Sequence, residues 1–272
     1  MSRLIQVYRF LNHLSVDVSA GAMAMAWFFC RVLHAPVATE SILVLGLTVW
    51  LIYAVDHMLD ALRIAKNAST FRHRFYQRNF KILLPVILGA AIVDVTLIFM
   101  LDVPLIQAGT LLGICTILYL LIQHRLSYTK EFFGAVFYTA GVVMIAWVQV
   151  HADMHIMHYL LIAHFMLTAW INLLLFSLFD ERHDEADRHV SFVIKWGKRK
   201  TSILISFLLL VCTGLTLVQW GSPLLWPAII VMLMDIFFAG IFIFRKYFVK
   251  EDRFRLAGDA VFFFPLCYYF LQ

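Results

Sequence analysis

Long apolar runs recur along the whole chain, and short polar segments separate them. Each run is about 20 residues long, the length that an α-helix needs to cross a bilayer. Barrel strands would be about half as long, so these runs predict helices. The runs lie at 14–33, 36–55, 82–101, 103–122, 132–150, 156–179, 201–219, 224–244 and 256–271. We therefore expect an all-α integral membrane fold, one polytopic domain over residues 1–272 with about nine transmembrane helices.

The overall composition agrees with a membrane-embedded chain. Hydrophobic residues make up 62% of it and charged residues 14%, and the mean hydropathy is +0.85. A soluble domain is nearer half apolar and a quarter charged, so no sizeable soluble domain is expected. The four cysteines have no paired spacing, which indicates neither a disulfide framework nor a zinc site. We interpret them as packing or lipid-facing residues.

The basic residues predict how the chain is oriented. Its net charge is +5, but the Lys and Arg side chains lie between apolar runs rather than along one helical face, so nucleic acid is not an expected partner. With the N-terminus inside, 21 of the 22 Lys and Arg residues fall in inside segments. Those segments are 1–13, 56–81, 123–131, 180–200 and 245–255. This predicts an N-in, C-out protein of a bacterial-type inner membrane.

Two aspartate pairs follow the second and sixth apolar runs. Asp56 and Asp60 are four residues apart, as are Asp180 and Asp184, so each pair lies on one helical face. Asp187 follows one turn later. The equivalent positions, four spans apart, suggest two four-helix halves plus a ninth helix, and a site at their junction.

Carboxylates gathered at one membrane face repel one another unless cations lie between them. Hard oxygen ligands suit Mg²⁺, which commonly shares its coordination with phosphate oxygens. Any one Asp-x-x-x-Asp pair is more often a solvated helix end, but two in equivalent positions favour a metal-bridged diphosphate site at the cytoplasmic face. Four basic residues are close enough in sequence to contact phosphate, namely Arg63, Arg125, Lys130 and Arg188.

Other polar residues lie within or beside the apolar runs, where ionisable groups are costly. Asp17 and Asn172 are best placed for a substrate pocket. Asp94 and Asp235 are either functional or neutral, paired structural residues, whereas Asp259 is expected to pair with nearby arginines. A cluster of possible ligands on the outer face is interpreted as a wet helix end rather than a metal site; it comprises His151, Asp153, His155 and His158.

At these motifs the chain resembles the UbiA superfamily of intramembrane prenyltransferases, which has nine helices and paired aspartate motifs. The family's first motif reads Asn-Asp-x-x-Asp-x-x-x-Asp; Asp56 and Asp60 match its last two acids, and Ile52 and Tyr53 replace its leading residues. Asp180 and Asp184 match the second motif, which continues in spacing through Ser191-Phe192 and Gly197. Tyr119, Arg125 and Lys130 look like the family's residues between the fourth and fifth spans.

The resemblance implies Mg²⁺-dependent transfer of an isoprenyl group from its diphosphate to a lipophilic, aromatic-type acceptor. The four paired aspartates would then be catalytic and, with Asp187, would hold the metal. Arg63, Tyr119, Arg125, Lys130, Asn172, Arg188 and Asp17 would bind substrate. Two other readings remain: a membrane transporter, and a family member that binds an isoprenyl diphosphate without turning it over.

Overall fold

Helices form nearly all of the computed structural model, which describes residues 3–63, 71–122, 129–150, 153–187 and 190–271. There is no strand in these ranges. The α-helices are α1 Arg3–His13, α2 Val16–Val32, α3 Thr39–Arg63, α4 Phe71–Arg78, α5 Phe80–Ile98, α6 Val103–Ile122, α7 Lys130–Gln149, α8 Ile156–Asp187, α9 Phe192–Val218, α10 Leu225–Ile243, α11 Arg245–Phe248 and α12 Arg253–Ala260. Two 3₁₀ segments, Lys250–Asp252 and Val261–Leu271, flank α12.

The predicted membrane fold is confirmed. Within the described ranges, eight helical segments are long and apolar enough to cross a membrane. The pair α1 and α2 qualifies as a ninth, although it is bent by 81°. The bend falls at Ser15, whose φ of 57° lies in the left-handed region. All nine overlap the predicted runs, but α3 and α8 continue to Leu62 and Ala186 and the α9 span already begins at Phe192, all beyond the predicted bounds. The amphipathic α1 was not predicted.

The two helices that carry the aspartate pairs are longer than a membrane span requires. α3 has 25 residues and α8 has 32, about 38 and 48 Å at a rise of 1.5 Å per residue, against a hydrocarbon core of roughly 30 Å. Each aspartate pair therefore lies on the continuation of a spanning helix. The expected placement of each pair on one helical face is confirmed.

The core lies around α2, α8 and α10. α8 packs against α7, α9 and α10, and α2 packs against α3, α7 and the C-terminal 3₁₀ segment. A set of aromatic rings joins these elements: Phe165 of α8 lies edge-on to Phe29 of α2, 5.4 Å between centroids, and next to Phe262. By contrast, α5 and α6 lie at the edge and have few buried residues.

Candidate functional site

A cavity of about 530 Å³, which we call the main cavity, runs between α3, α5, α6, α7 and α8. Its α3 lining residues recur every three or four positions, so one face of α3 borders it. From Asp56 at one end to Ser41 at the other, that face rises about 22 Å. The wall of the main cavity is mostly apolar, and the volume of the cavity is typical of a small-ligand site.

A second cavity of about 250 Å³, the side chamber, adjoins the main cavity at the aspartate end. The two share seven lining residues, namely Tyr53, Asp56, Lys130, Tyr138, Leu173, Phe176 and Asp184. They therefore form one continuous space with a long apolar part and a short polar part.

Both aspartate pairs border this space. Asp56 and Asp184 line both cavities, Asp60 lines the side chamber, and Asp180 lines the main cavity. Asp60 and Asp180 are buried, and the other two are half-buried. The structure thus brings the two motifs together, although they are more than 100 residues apart in the chain.

Arg255 of α12 contacts Asp180 through a direct ion pair. Its guanidinium lies 5.6 Å from the ring centroid of Phe176 and 5.3 Å from that of Phe254, so two aromatic faces help to fix it. The sequence predicted that Asp259 would pair with the nearby arginines, Arg253 and Arg255. Arg255 and Asp259 both line the side chamber, but the direct ion pair of Arg255 is with Asp180 of α8.

Arg72 of α4 anchors a buried polar network behind the side chamber. It donates to the side-chain and main-chain oxygens of Asn12, each at 3.1 Å, and lies 3.2 Å from Nε2 of His57. The Asn12 amide nitrogen in turn donates to Asp17 at 2.6 Å and Asp259 at 2.7 Å. Asp17, predicted to bind substrate, is therefore linked to the chamber-lining Asp259 through Asn12.

The electrostatics of α4 are set by burial. Burial lowers the pKa of Arg72; Arg255 lowers it further, while Asp259 and Asp17 act in the opposite direction. The Arg72 guanidinium nevertheless stays charged at neutral pH. Burial also raises the pKa of the Tyr76 phenol to about 12, so it remains a neutral donor.

Three further predicted residues border the space. Lys130 lines both cavities, and Tyr119 lines the main cavity while donating its hydroxyl to the Lys130 carbonyl at 2.8 Å. Asn172 lines the side chamber, and its buried Oδ1 has no hydrogen-bond partner in the described part of the chain. A buried acceptor of this kind is costly unless a ligand or water supplies a donor.

Five of the residues named from the sequence lie, wholly or in their side chains, outside the part of the chain that the structure describes. Arg125, Arg188 and His151 lie outside the described residues, as do the side chains of Arg63 and Asp187.

Other polar residues named from the sequence, Asp94 and two histidines, do lie in the described part of the chain. Asp94 accepts a hydrogen bond from Thr48 at 2.8 Å and lines the main cavity. At the opposite end, the rings of His155 and His158 stack 6.1 Å apart.

The donor set at the aspartate end fits a hard cation shared with an anionic ligand better than a closed metal cage. Among the described residues, the group of three potential ligands that comes within 4.8 Å lies elsewhere, at His164, Cys212 and Asp235. The aspartates instead surround an open space, which leaves room for water and phosphate oxygens in the coordination shell that Mg²⁺ prefers.

Sequence reasoning missed Arg72 and Arg255 as site residues, and it took Asp259 only as a pairing residue. All three line the side chamber. Arg72 is one of many basic residues in its segment and carried no signal of its own. For Arg255 and Asp259 the sequence does contain a signal. An arginine lies four positions before an aspartate in an apolar run, which indicates two charged side chains on one face of a helix.

Comparison with known proteins adds no relative. No family model, no curated protein and no solved structure matches this chain. The class defined by the fold is a multi-pass membrane protein, and its function must be inferred from the site itself.

Proposed function

We propose that this protein is a UbiA-like membrane prenyltransferase that moves an isoprenyl group from an isoprenyl diphosphate to a lipophilic acceptor with Mg²⁺. One observation carries the proposal: both aspartate pairs border a space whose polar end holds basic side chains and whose apolar part follows α3 for about 22 Å. A ligand with a charged head and a long apolar tail matches that division.

Charge explains why a metal ion would be needed. The side chamber is lined by four acids, Asp56, Asp60, Asp184 and Asp259, and by three bases, Arg72, Lys130 and Arg255. Because Arg255 is already paired with Asp180, which lies outside the chamber, the acids outnumber the bases, and a diphosphate would add further negative charge. Bound Mg²⁺ would neutralise it and stabilise the charge that develops on the leaving group.

The chain's own groups account for the remaining chemistry. Arg255 keeps Asp180 neutralised, and Lys130 offers a donor to phosphate oxygens. In the reaction, the bond between the allylic carbon and the diphosphate oxygen breaks with its electron pair leaving on oxygen; a new bond forms to the acceptor, which loses a proton. Tyr53, Tyr138 and Phe176 line the junction of the cavities, where aromatic faces would stabilise an allylic cation.

The orientation is part of the same proposal. With the aspartate end on the cytoplasmic side of a bacterial-type inner membrane, 21 of the 22 Lys and Arg residues lie on that side. A water-soluble diphosphate product would then be released into the cytoplasm.

The direct test is to incubate the purified protein in lipid nanodiscs with Mg²⁺, isoprenyl diphosphates of several lengths and aromatic acceptors, and to measure diphosphate release. Asp56→Asn and Asp184→Asn should each lower the rate by a factor on the order of 100 or more, because both acids face both cavities. Asp153→Asn, at an exposed position of the opposite end, is the matched control. Mg²⁺-dependent release that survives both cavity variants would contradict the proposal.

One observation favours the non-catalytic alternative. Ile52 and Tyr53 line the main cavity where the resemblance has an Asn and an Asp, so the first motif offers fewer metal ligands. Binding measurements separate the cases: Mg²⁺-dependent binding of an isoprenyl diphosphate without release of diphosphate identifies a binding protein, and no binding excludes both readings.

A further inference from the structure

A second polar cluster lies in the core between α8, α9 and α10, away from both cavities described above. It consists of His164, Cys212 and Asp235, whose potential ligand atoms all lie within 4.8 Å of one another. His164 and Cys212 are fully buried and Asp235 is 4% exposed. Along α8, His164 precedes Asp180 by 16 residues, about 24 Å of helix.

The three side chains reach the same depth from separate helices. His164 and Asp235 lie about 12 and 15 Å from the starts of α8 and α10, and Cys212 lies about 9 Å from the end of α9. Those three helix ends are at the same end of the bundle, since α8 and α9 run in opposite directions and α10 follows α9. The convergence is therefore a product of the fold.

Hydrogen bonds orient the carboxylate at the centre of the cluster. One oxygen of Asp235 lies 2.7 Å from Nε2 of His164, and the other accepts from the Thr168 hydroxyl at 2.8 Å. In metal sites, a carboxylate ligand is commonly held in orientation by a hydrogen bond from a neighbouring side chain. Thr168 donates such a hydrogen bond to Asp235. The other ring nitrogen of His164, Nδ1, has no hydrogen-bond partner in the described ranges.

We propose that His164, Cys212 and Asp235 form a transition-metal site, with Zn²⁺ as the best-fitting ion. Imidazole nitrogen, thiolate sulfur and carboxylate oxygen are the ligands of tetrahedral zinc, and thiolate disfavours Mg²⁺ and Ca²⁺. Three protein ligands leave the fourth position for a small molecule such as water. Separations of 2.7–4.8 Å need only small side-chain shifts to reach bonds of about 2.0–2.3 Å to a shared ion.

Charge balance in the membrane supports the same assignment. An isolated carboxylate deep in a bilayer is costly. Zn²⁺ bound to one thiolate, one carboxylate and a neutral imidazole forms a group with no net charge. Binding displaces the Cys212 thiol proton and any proton held between His164 and Asp235.

The test must load the metal during synthesis, because the folded protein buries all three side chains. The full chain, with a purification tag free of histidine, would be expressed in defined medium containing Zn²⁺ or Co²⁺ and purified without chelators. We expect about one metal ion per chain and, with Co²⁺, the near-ultraviolet absorption of a cobalt–thiolate bond. Cys30→Ser, at an equally buried cysteine outside the cluster, should retain both signals.

Cys212→Ser and His164→Gln should lose the cobalt–thiolate absorption and most of the bound zinc. Wild-type protein that purifies folded without stoichiometric metal would overturn the proposal, as would a cobalt–thiolate signal that survives Cys212→Ser. If the cluster variants do not fold, the wild-type metal content and the Cys30→Ser spectrum still decide the question. None of these results depends on the prenyltransferase proposal.

Discussion

Asp94 and Asp235 are aspartates on membrane-spanning helices, yet they lie in opposite surroundings. Asp94 belongs to the open side of the molecule, where α3, α5 and α6 border the main cavity; it accepts one hydrogen bond, and its Oδ1 has no partner among the described residues. Asp235 belongs to the closed side, where α8, α9 and α10 pack tightly; both its oxygens have partners. The comparison shows that an aspartate on a membrane-spanning helix can either border a cavity or belong to a hydrogen-bonded, tightly packed core.

The largest expected effect is the loss of unfolding free energy when Asp235, on the closed side, is replaced. Asp235→Ala leaves His164 and Thr168 without their partner in a fully buried position, which we expect to cost about 2–4 kcal/mol of unfolding free energy. Asp94→Ala should cost about 1 kcal/mol or less, because its site opens onto a cavity. Denaturation of both variants in detergent, followed by circular dichroism, measures the difference. Equal losses would remove the distinction between the two sides.

A smaller effect is expected where α12 packs against α8. A Cβ at Gly258 would lie 2.7 Å from Cε1 of Phe176 and 2.9 Å from Oδ1 of Asn172, so Gly258→Ala forces both side chains to move. We expect a loss of about 1–3 kcal/mol. Because Phe176 and Asn172 line the side chamber, binding of an isoprenyl diphosphate should weaken as well.

The matched control is Gly240→Ala on α10, since a Cβ there meets nothing within 4 Å in the described structure. Its helix should be unchanged or slightly more stable, because alanine favours a helix over glycine by about 1 kcal/mol. The same loss in both variants would mean that helix propensity, rather than the contact with α8, sets the result.

The sequence predicts what depends on local pattern. Apolar runs define the spans, and the four-residue spacing of Asp56 and Asp60 defines a helical face, so both could be predicted without coordinates. The contacts between distant residues could not: Arg255 meets Asp180 across 75 positions, and His164 meets Asp235 across 71. Cys212 looks like a packing residue in sequence because its two neighbours in the cluster lie on other helices.

The smallest expected change in stability tests the open side directly. Gly113 lines the main cavity on α6, and a Cβ there meets nothing within 4 Å, so Gly113→Leu places a side chain in empty space at a cost within about 0.5 kcal/mol. If the cavity holds the isoprenyl tail, the variant should turn over short donors normally and lose activity towards long ones. Gly214→Leu is the control, since that glycine also has open space but is exposed on α9. Diphosphate release measured across a series of donor lengths would show the shift, and an unchanged length profile in Gly113→Leu would mean that the tail lies elsewhere.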